Sequence, residues 1–365
     1  MSAPEAPLER ITARAYRIPT EQPESDGTLE WDSTTLVVVH AQAAGARGLG
    51  FTYADAAAAR LIQERLAPHL QGLDAFATAG CWDEMVRRVR NLGAAGLCSM
   101  AISAVDSALW DLKARLLDVP LVRLLGQARR SVPVYGSGGF TSYSVAQLER
   151  QLGDWVAGGL RCVKMKIGRD PAQDVPRVRA VRERIGAGAE IFVDANGAYS
   201  RKLALLQAES FAELGVTWYE EPVSSDDLTG LALLRDRVPA GIEVSAGEYG
   251  YDSVYFRRMC AAGAVDVLQA DATRCKGITG FMRAASVADA FLLPLSSHCA
   301  PSLHLHACCA APRVRHMEYF HDHVRIEHML FDGALSPVGG RIEPDLGRPG
   351  LGLELKDADA QRFAV

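Results

Sequence analysis

Cys162-Val-Lys164-Met-Lys166-Ile167 is a short β-type run carrying two lysines two positions apart. Alternate residues of a strand share a face, so both ammonium groups can project to the same, inward side. The interleaved Val163, Met165 and Ile167 do not suit a solvated basic strand. Lysine is scarce, at positions 113, 164, 166, 202, 276 and 356 only, with arginine serving as the general cation. The pair therefore asks for a chemical reason. Two neighbouring ammonium groups disfavour each other's charge, which is expected to bring one toward the pKa of a useful base.

Working outward, reactive side chains stand at or just past the ends of successive β-type runs: Lys166, Asp194, Glu220, Glu248, Asp271, His298 and Glu318. They are separated by 28, 26, 28, 23, 27 and 20 residues. One strand, one helix and two short loops account for such a repeat. Strands are predicted over 132–135, 162–167, 191–194, 218–220, 243–246, 267–270, 292–295 and 314–319. Eight strands alternating with helices predict an α/β fold with a parallel barrel. The seven side chains then converge on the barrel's C-terminal mouth, where barrel enzymes place their active sites. A doubly wound sheet would want a Gly-rich phosphate loop after its first strand. Tyr135-Gly-Ser-Gly-Gly lacks the full spacing.

Residues 1–128 read as an N-terminal α+β domain, with a strand at 36–39, helices near 54–66 and 99–117, and a polar, turn-rich loop over 20–33. The barrel is assigned to 129–338. A Gly-, Pro- and acid-rich tail, 339–365, is expected to run back over the first domain. The 365 residues suffice for these parts, and 48% apolar with 23% charged residues is ordinary for a globular protein. A net charge of −5 without a basic cluster argues against nucleic acid. No run of about 18 apolar residues suggests a membrane span. Eight cysteines without a CxxC pair, and an opening Met-Ser-Ala-Pro-Glu-Ala-Pro unlike a signal peptide, predict reduced thiols and a cytoplasmic location.

Phe192-Val-Asp194-Ala-Asn196, Trp218-Tyr-Glu220-Glu221-Pro222 and Ala246-Gly-Glu248 bring three acids to one mouth. Each alone could be a strand-end acid bonded to backbone. Together they would raise one another's pKa unless a cation lay between them. An all-oxygen site suits Mg²⁺, which keeps open positions for substrate oxygens. On the other arc, Asp271 is placed to fix the tautomer of His298 and raise its basicity. A cation plus tuned bases is what removal of a carboxylate's α-proton requires.

Lys164-x-Lys166, Asp194-Ala-Asn196, Glu220-Glu221-Pro222, Gly247-Glu248, Asp271-Ala-Thr and Ser297-His298 together resemble the enolase superfamily, specifically its mandelate racemase group. The resemblance covers essentially the whole chain. It implies a modified TIM barrel, (β/α)7β, under an N-terminal α+β capping domain, with a lid loop at about 20–31. It implies that Asp194, Glu220 and Glu248 bind Mg²⁺, that Lys166 works on one substrate face, and that His298 with Asp271 works on the other. Lys164 would neutralise the substrate carboxylate, Glu318 would hydrogen-bond it, and Asn196 would contact the substrate. Trp31 is the candidate lid contact. Lys276 departs from the pattern, because some relatives of the muconate-cycloisomerase type carry a second catalytic lysine after the sixth strand. Homo-oligomers are common in the group.

The reaction expected on this resemblance is dehydration of an acid sugar, an aldonate or aldarate, to a 2-keto-3-deoxy acid. Racemisation, epimerisation or lactone cycloisomerisation is the alternative, and whether Lys166 or His298 takes the proton stays open. Arg274, His321 and His323 are candidates for contacts with hydroxyls or a second carboxylate. A barrel metal hydrolase would need an H-x-H pair on the first barrel strand. His304-x-His306 and His321-x-His323 come only after the seventh and eighth.

Overall fold

In the computed structural model, which describes residues 5–365, the chain begins with an antiparallel sheet of β1 (Arg10–Ser25), β2 (Glu30–Ala43) and β3 (Ala46–Tyr53). One face (Ala13, Ala15, Val37, Val39, Ala41) packs on helices, notably Leu97–Leu116. The other (Tyr16, Ile18, Leu36, Val38, Phe51) joins the core shared with the barrel. Gly48 and Gly50 allow backbone contact with that helix. A Cβ on either would lie 2.3 Å from the carbonyl oxygen of Ala108 or Ala104 respectively.

Eight parallel strands follow: β4 (Val132–Gly138), β5 (Cys162–Lys166), β6 (Glu190–Asp194), β7 (Val216–Glu220), β8 (Glu243–Ala246), β9 (Val267–Ala270), β10 (Leu295–Ser297) and β11 (Val314–Phe320). Each pairs with the next. β11 returns to β4 with Glu318 opposite Tyr135, so the sheet closes on itself. Tyr135, Phe192, Trp218 and Val267 fill the interior, with Phe192 and Trp218 stacked at 5.2 Å. They form an apolar floor under the charged mouth. β10 starts three residues later than the sequence predicts. Leu292 is 72% exposed with φ +59°, a turn residue rather than a strand residue.

A helix follows every barrel strand, and the last one, His321–Leu330, serves the cap. Its Asp322 accepts from the Thr34 hydroxyl, and Arg325 Nη2 donates to the Pro19 carbonyl at 2.7 Å. This is the modified TIM barrel with its capping domain. All eight cysteines are free thiols, and among the described residues no helix is long and apolar enough to cross a membrane.

The loop expected over 20–33 is largely a hairpin formed by the ends of β1 and β2. Glu24 pairs with Trp31 and Ser25 with Glu30, beyond a register irregularity between Pro19 and Glu24. Its polar residues show no alternation because the strands are held by mutual pairing, not by burial of one face. Asp26 fixes the turn by accepting from the N–H of Thr28 at 2.6 Å and of Leu29 at 2.7 Å. The turn is seated on the barrel at Gly27. A Cβ there would lie 2.5 Å from the Ala195 carbonyl oxygen and 2.7 Å from that of Ile167.

Asp111, fully buried in helix Leu97–Leu116, ties cap to tail. It accepts from the N–H of Leu49 at 2.7 Å and of Leu351 at 2.5 Å, and from Arg115 Nε at 2.6 Å. The tail then bonds β1, with Val365 N–H donating to the Ala15 carbonyl at 3.1 Å. Asp111→Ala would orphan two buried amides and remove one partner of the Arg115 guanidinium. It is expected to cost about 3 kcal/mol or more in chemical denaturation, and a loss below about 0.5 kcal/mol would show that the tie carries no stability.

In the hairpin, Glu24 is 1% exposed and accepts from Trp31 Nε1 at 3.0 Å. Burial, then the charge of Asp322, pushes its pKa up from 4.5 to about 8. The folded protein thus holds a proton that the unfolded chain has lost, and stability falls as pH rises between those values. Glu24→Gln keeps the acceptor and cannot ionise. It is expected to raise Tm relative to the parent at pH 8 and to leave it unchanged near pH 4. An equal Tm difference at both pH values would refute this protonation.

Candidate active site

The barrel brings the predicted groups together. Lys164 and Lys166 project from β5, Asp194 and Glu220 end β6 and β7, and Glu318 lies in β11. Glu248 follows β8 through Gly247, whose φ is +136° and whose Cβ would strike the Gln269 carbonyl at 2.1 Å. Only glycine allows the chain to turn there against β9. Asp271 and His298 follow β9 and β10 directly. Asn196, Glu221, Cys299 and Ala300, all just beyond strand ends, have left-handed φ values between +38° and +51°. Backbone strain is thus present at the mouth.

Lys164 is completely buried. Its Nζ lies against Glu220, 2.8 Å from Glu318 Oε1 and 3.3 Å from Asp194 Oδ2. Lys166, two positions nearer the mouth, lies 2.5 Å from Asp194 Oδ2. Glu220 also accepts from Trp218 Nε1 at 2.9 Å. His298 Nδ1–H donates to Asp271 Oδ2 at 2.8 Å, and its Nε2 lies 3.4 Å from Glu248 Oε2. Arg274 Nη1 donates to Glu248 Oε1 at 3.1 Å, and its guanidinium lies over the Tyr249 ring at 5.0 Å.

The electrostatics differ from the expectation for a lysine pair. Burial, the largest influence, opposes charge on Lys166, but Asp194, Glu248 and Glu220 together outweigh it and the pKa rises. Lys164 behaves likewise under Glu220 and Glu318. The carboxylates respond unequally. Burial, then Asp194, pushes Glu220 up to about 8. In Asp194 burial is outweighed by the two lysines, and in Glu248 by His298 and Arg274, so both fall. Burial is likewise outweighed in His298, by Glu248, Glu318 and Asp271, and its pKa rises.

A cavity of about 410 Å³ opens over these groups. Lys166, Asn196, Glu248, Asp271, Arg274 and His298 line its barrel end, and Trp31 lies on the cap side. Lys164 does not line it and sits behind the acids, not in front of them. Asn196 Oδ1 is buried without a hydrogen-bond partner. Two candidates lie elsewhere. His321 faces Glu21 of the hairpin at 3.4 Å. Lys276 precedes helix Gly277–Ala290 and donates to the Tyr251 carbonyl, away from the cavity.

Several contributors escaped sequence reading. Trp218 shares the inward face with Glu220, a signal available from the strand's two-residue period. His304 was visible only as half of an H-x-H pair. In the fold its Nε2 accepts from the Ala272 N–H at 2.7 Å and lies 3.7 Å from Asp271 Oδ1. Cys299 Sγ lies 3.3 Å from His298 Nε2, and no pattern announced it.

Oxygens of buried Asp194, Glu220 and Glu248 lie within 4.8 Å of one another. Glu248 Oε2 is buried without a hydrogen-bond partner. A hard, all-oxygen set with an open donor fits Mg²⁺.

The comparisons with known proteins agree with this geometry. The model of the mandelate racemase/muconate lactonizing enzyme N-terminal domain matches residues 12–126, and that of the enolase C-terminal domain-like family matches 147–360. The 3,6-anhydro-alpha-L-galactonate cycloisomerase of Streptomyces coelicolor is 34% identical, over 98% of this chain and 99% of its own. A mandelate racemase/muconate lactonizing enzyme-like protein from Rubrobacter xylanophilus superposes with a TM-score of 0.96 at 51% identity, covering 98% and 100% of the two chains. L-talarate/galactarate dehydratase from Salmonella typhimurium, liganded with Mg and L-lyxarohydroxamate, superposes with a TM-score of 0.90 at 27% identity, covering 99% and 93%. The chain belongs to the mandelate racemase/muconate lactonizing enzyme family of the enolase superfamily, several of whose solved members hold magnesium.

Proposed function

We propose that this protein removes the α-proton of an acid-sugar carboxylate and completes the reaction by eliminating water, giving a 2-keto-3-deoxy acid. The observation that carries this is the two-sided arrangement around three acids. Lys166 approaches from the Asp194 side, and His298, held by Asp271, from the Glu248 side. Asp194, Glu220 and Glu248 would hold Mg²⁺, which supplies positive charge for the developing enediolate and offsets the acids that keep both bases protonated.

Lys166 Nζ, at the cavity wall, can take a proton from one face of the substrate. His298 Nε2 faces the other side and can protonate the departing 3-hydroxyl, so that C–O cleavage releases water and leaves an enol. Asn196, with its free Oδ1, can contact a substrate hydroxyl, and Trp31 closes the cavity from the cap. Lys164 is too enclosed to act as a base. Its charge holds Glu220, Glu318 and Asp194 in place, and lends positive potential to a substrate carboxylate above them. The substrate is a small molecule, and we place the enzyme in the cytoplasm, as a homo-oligomer.

A second reading, cycloisomerisation without loss of water, is favoured by the Streptomyces relative. Both share the first step. NMR and mass spectrometry of the products made by Mg²⁺-supplied protein from open-chain and 3,6-anhydro acid sugars separate them: dehydration gives a product lighter by one water, whereas cycloisomerisation gives one of unchanged mass. Lys166→Ala is expected to lower α-proton exchange in D₂O on its face by about 10²-fold or more. Exchange on both faces at the parent rate would overturn the scheme.

A further inference from the structure

The lysine and arginine of the cavity stand at one end. Its barrel end holds Lys166, Arg274 and His298 beside Glu248 and Asp271, whereas its cap end is built from Asp26, Leu29, Trp31, Ser33, Thr35 and Asp55. No lysine or arginine lines the cap end. The barrel-end cations are engaged: Lys166 with Asp194 at 2.5 Å, and Arg274 with Glu248 at 3.1 Å and Asp271 at 3.8 Å. Swinging Arg274 out would take from buried Glu248 its hydrogen-bond donor, a costly exchange. His323 is no substitute. Its Nδ1 accepts from the Ala300 N–H at 3.2 Å, its ring stacks on Tyr53 with centroids 3.4 Å apart, and burial pushes its pKa down to about 3.

A substrate whose reacting carboxylate lies between Lys166 and His298 therefore directs its far end toward two acids, hydroxyls and apolar surface. We infer that this site takes a monocarboxylate, an aldonate or an anhydro or deoxy derivative of one, and disfavours the doubly charged aldarates. Hydroxyl groups suit Ser33 and Thr35, and a less polar carbon face suits Leu29 and Trp31. A terminal carboxylate would meet like charge with no counter-ion. The inference rests on the proton abstraction proposed above.

The test uses the full chain with Mg²⁺ and NMR-followed α-proton exchange in D₂O. The substrates are all stereoisomers of the five- and six-carbon aldonates, their 3,6-anhydro forms where these exist, and the corresponding aldarates. The best monoacid is expected to exceed its matching diacid in kcat/KM by about tenfold or more, with the gap narrowing at high salt. Asp55 accepts from the Ala57 N–H at 2.8 Å, and Asp55→Asn keeps that acceptor while removing charge. This variant is expected to shrink the monoacid-to-diacid ratio. An aldarate used as well as its aldonate, or a ratio unmoved by Asp55→Asn, overturns the inference while leaving proton abstraction standing. The absence of both exchange and a 2-keto-3-deoxy product with every acid overturns proton abstraction itself.

Discussion

A single buried ammonium group organises the mouth of this barrel. Lys164 has no solvent to stabilise its charge, and it is held by Glu220, Glu318 and Asp194. Those acids come from three strands, β7, β11 and β6, so the cluster exists only when the sheet has closed. Burying ions is expensive unless each finds partners, and here the partners are supplied by topology. The same closure puts Tyr135 beneath, 5.5 Å from the ammonium. An apolar floor and a charged layer thus meet at one lysine.

The negative charge on the mouth exceeds what its lysines neutralise, and Glu220 shows it. Its pKa stands at about 8 because burial and Asp194 both oppose its ionisation, even with Lys164 in contact. A site that gathers carboxylates this closely is built for a further cation. The lysine pair is then better understood as a graded arrangement. Lys164 is locked among acids, and Lys166, one pleat period nearer the mouth, reaches the cavity. Both occupy the same face, as their spacing requires, but depth gives them different chemistry.

That distinction marks how far the sequence could be read. Strand positions were legible wherever an apolar run ended in a reactive side chain. β8 and β9 fall on residues 243–246 and 267–270 as predicted. The approach failed at Leu292, whose apolar side chain is exposed in a turn, and at 20–33, where pairing makes strands from polar residues. Within the site, residue type and period led to the acids, Lys166 and His298. They could not reveal that His304 accepts from the Ala272 amide beside Asp271, because this depends on how helix Pro301–Ala310 folds back over β9. Nor could they reveal that Arg274, at the cavity wall, is engaged by Glu248.

Chemistry and selectivity therefore have separate structural sources. Strand ends fix the reacting groups through hydrogen-bonded register, so their type and spacing are visible in the chain. The cap end of the cavity is assembled by a hairpin and the segment after β3. They are held there by the contact of Gly27 with Ala195 and Ile167 and by Thr34 on Asp322. Such contacts join positions far apart in sequence and leave no periodic trace. The proposed proton abstraction needs only groups that the barrel places, whereas the proposed choice of substrate follows from which charges the cap brings to the mouth.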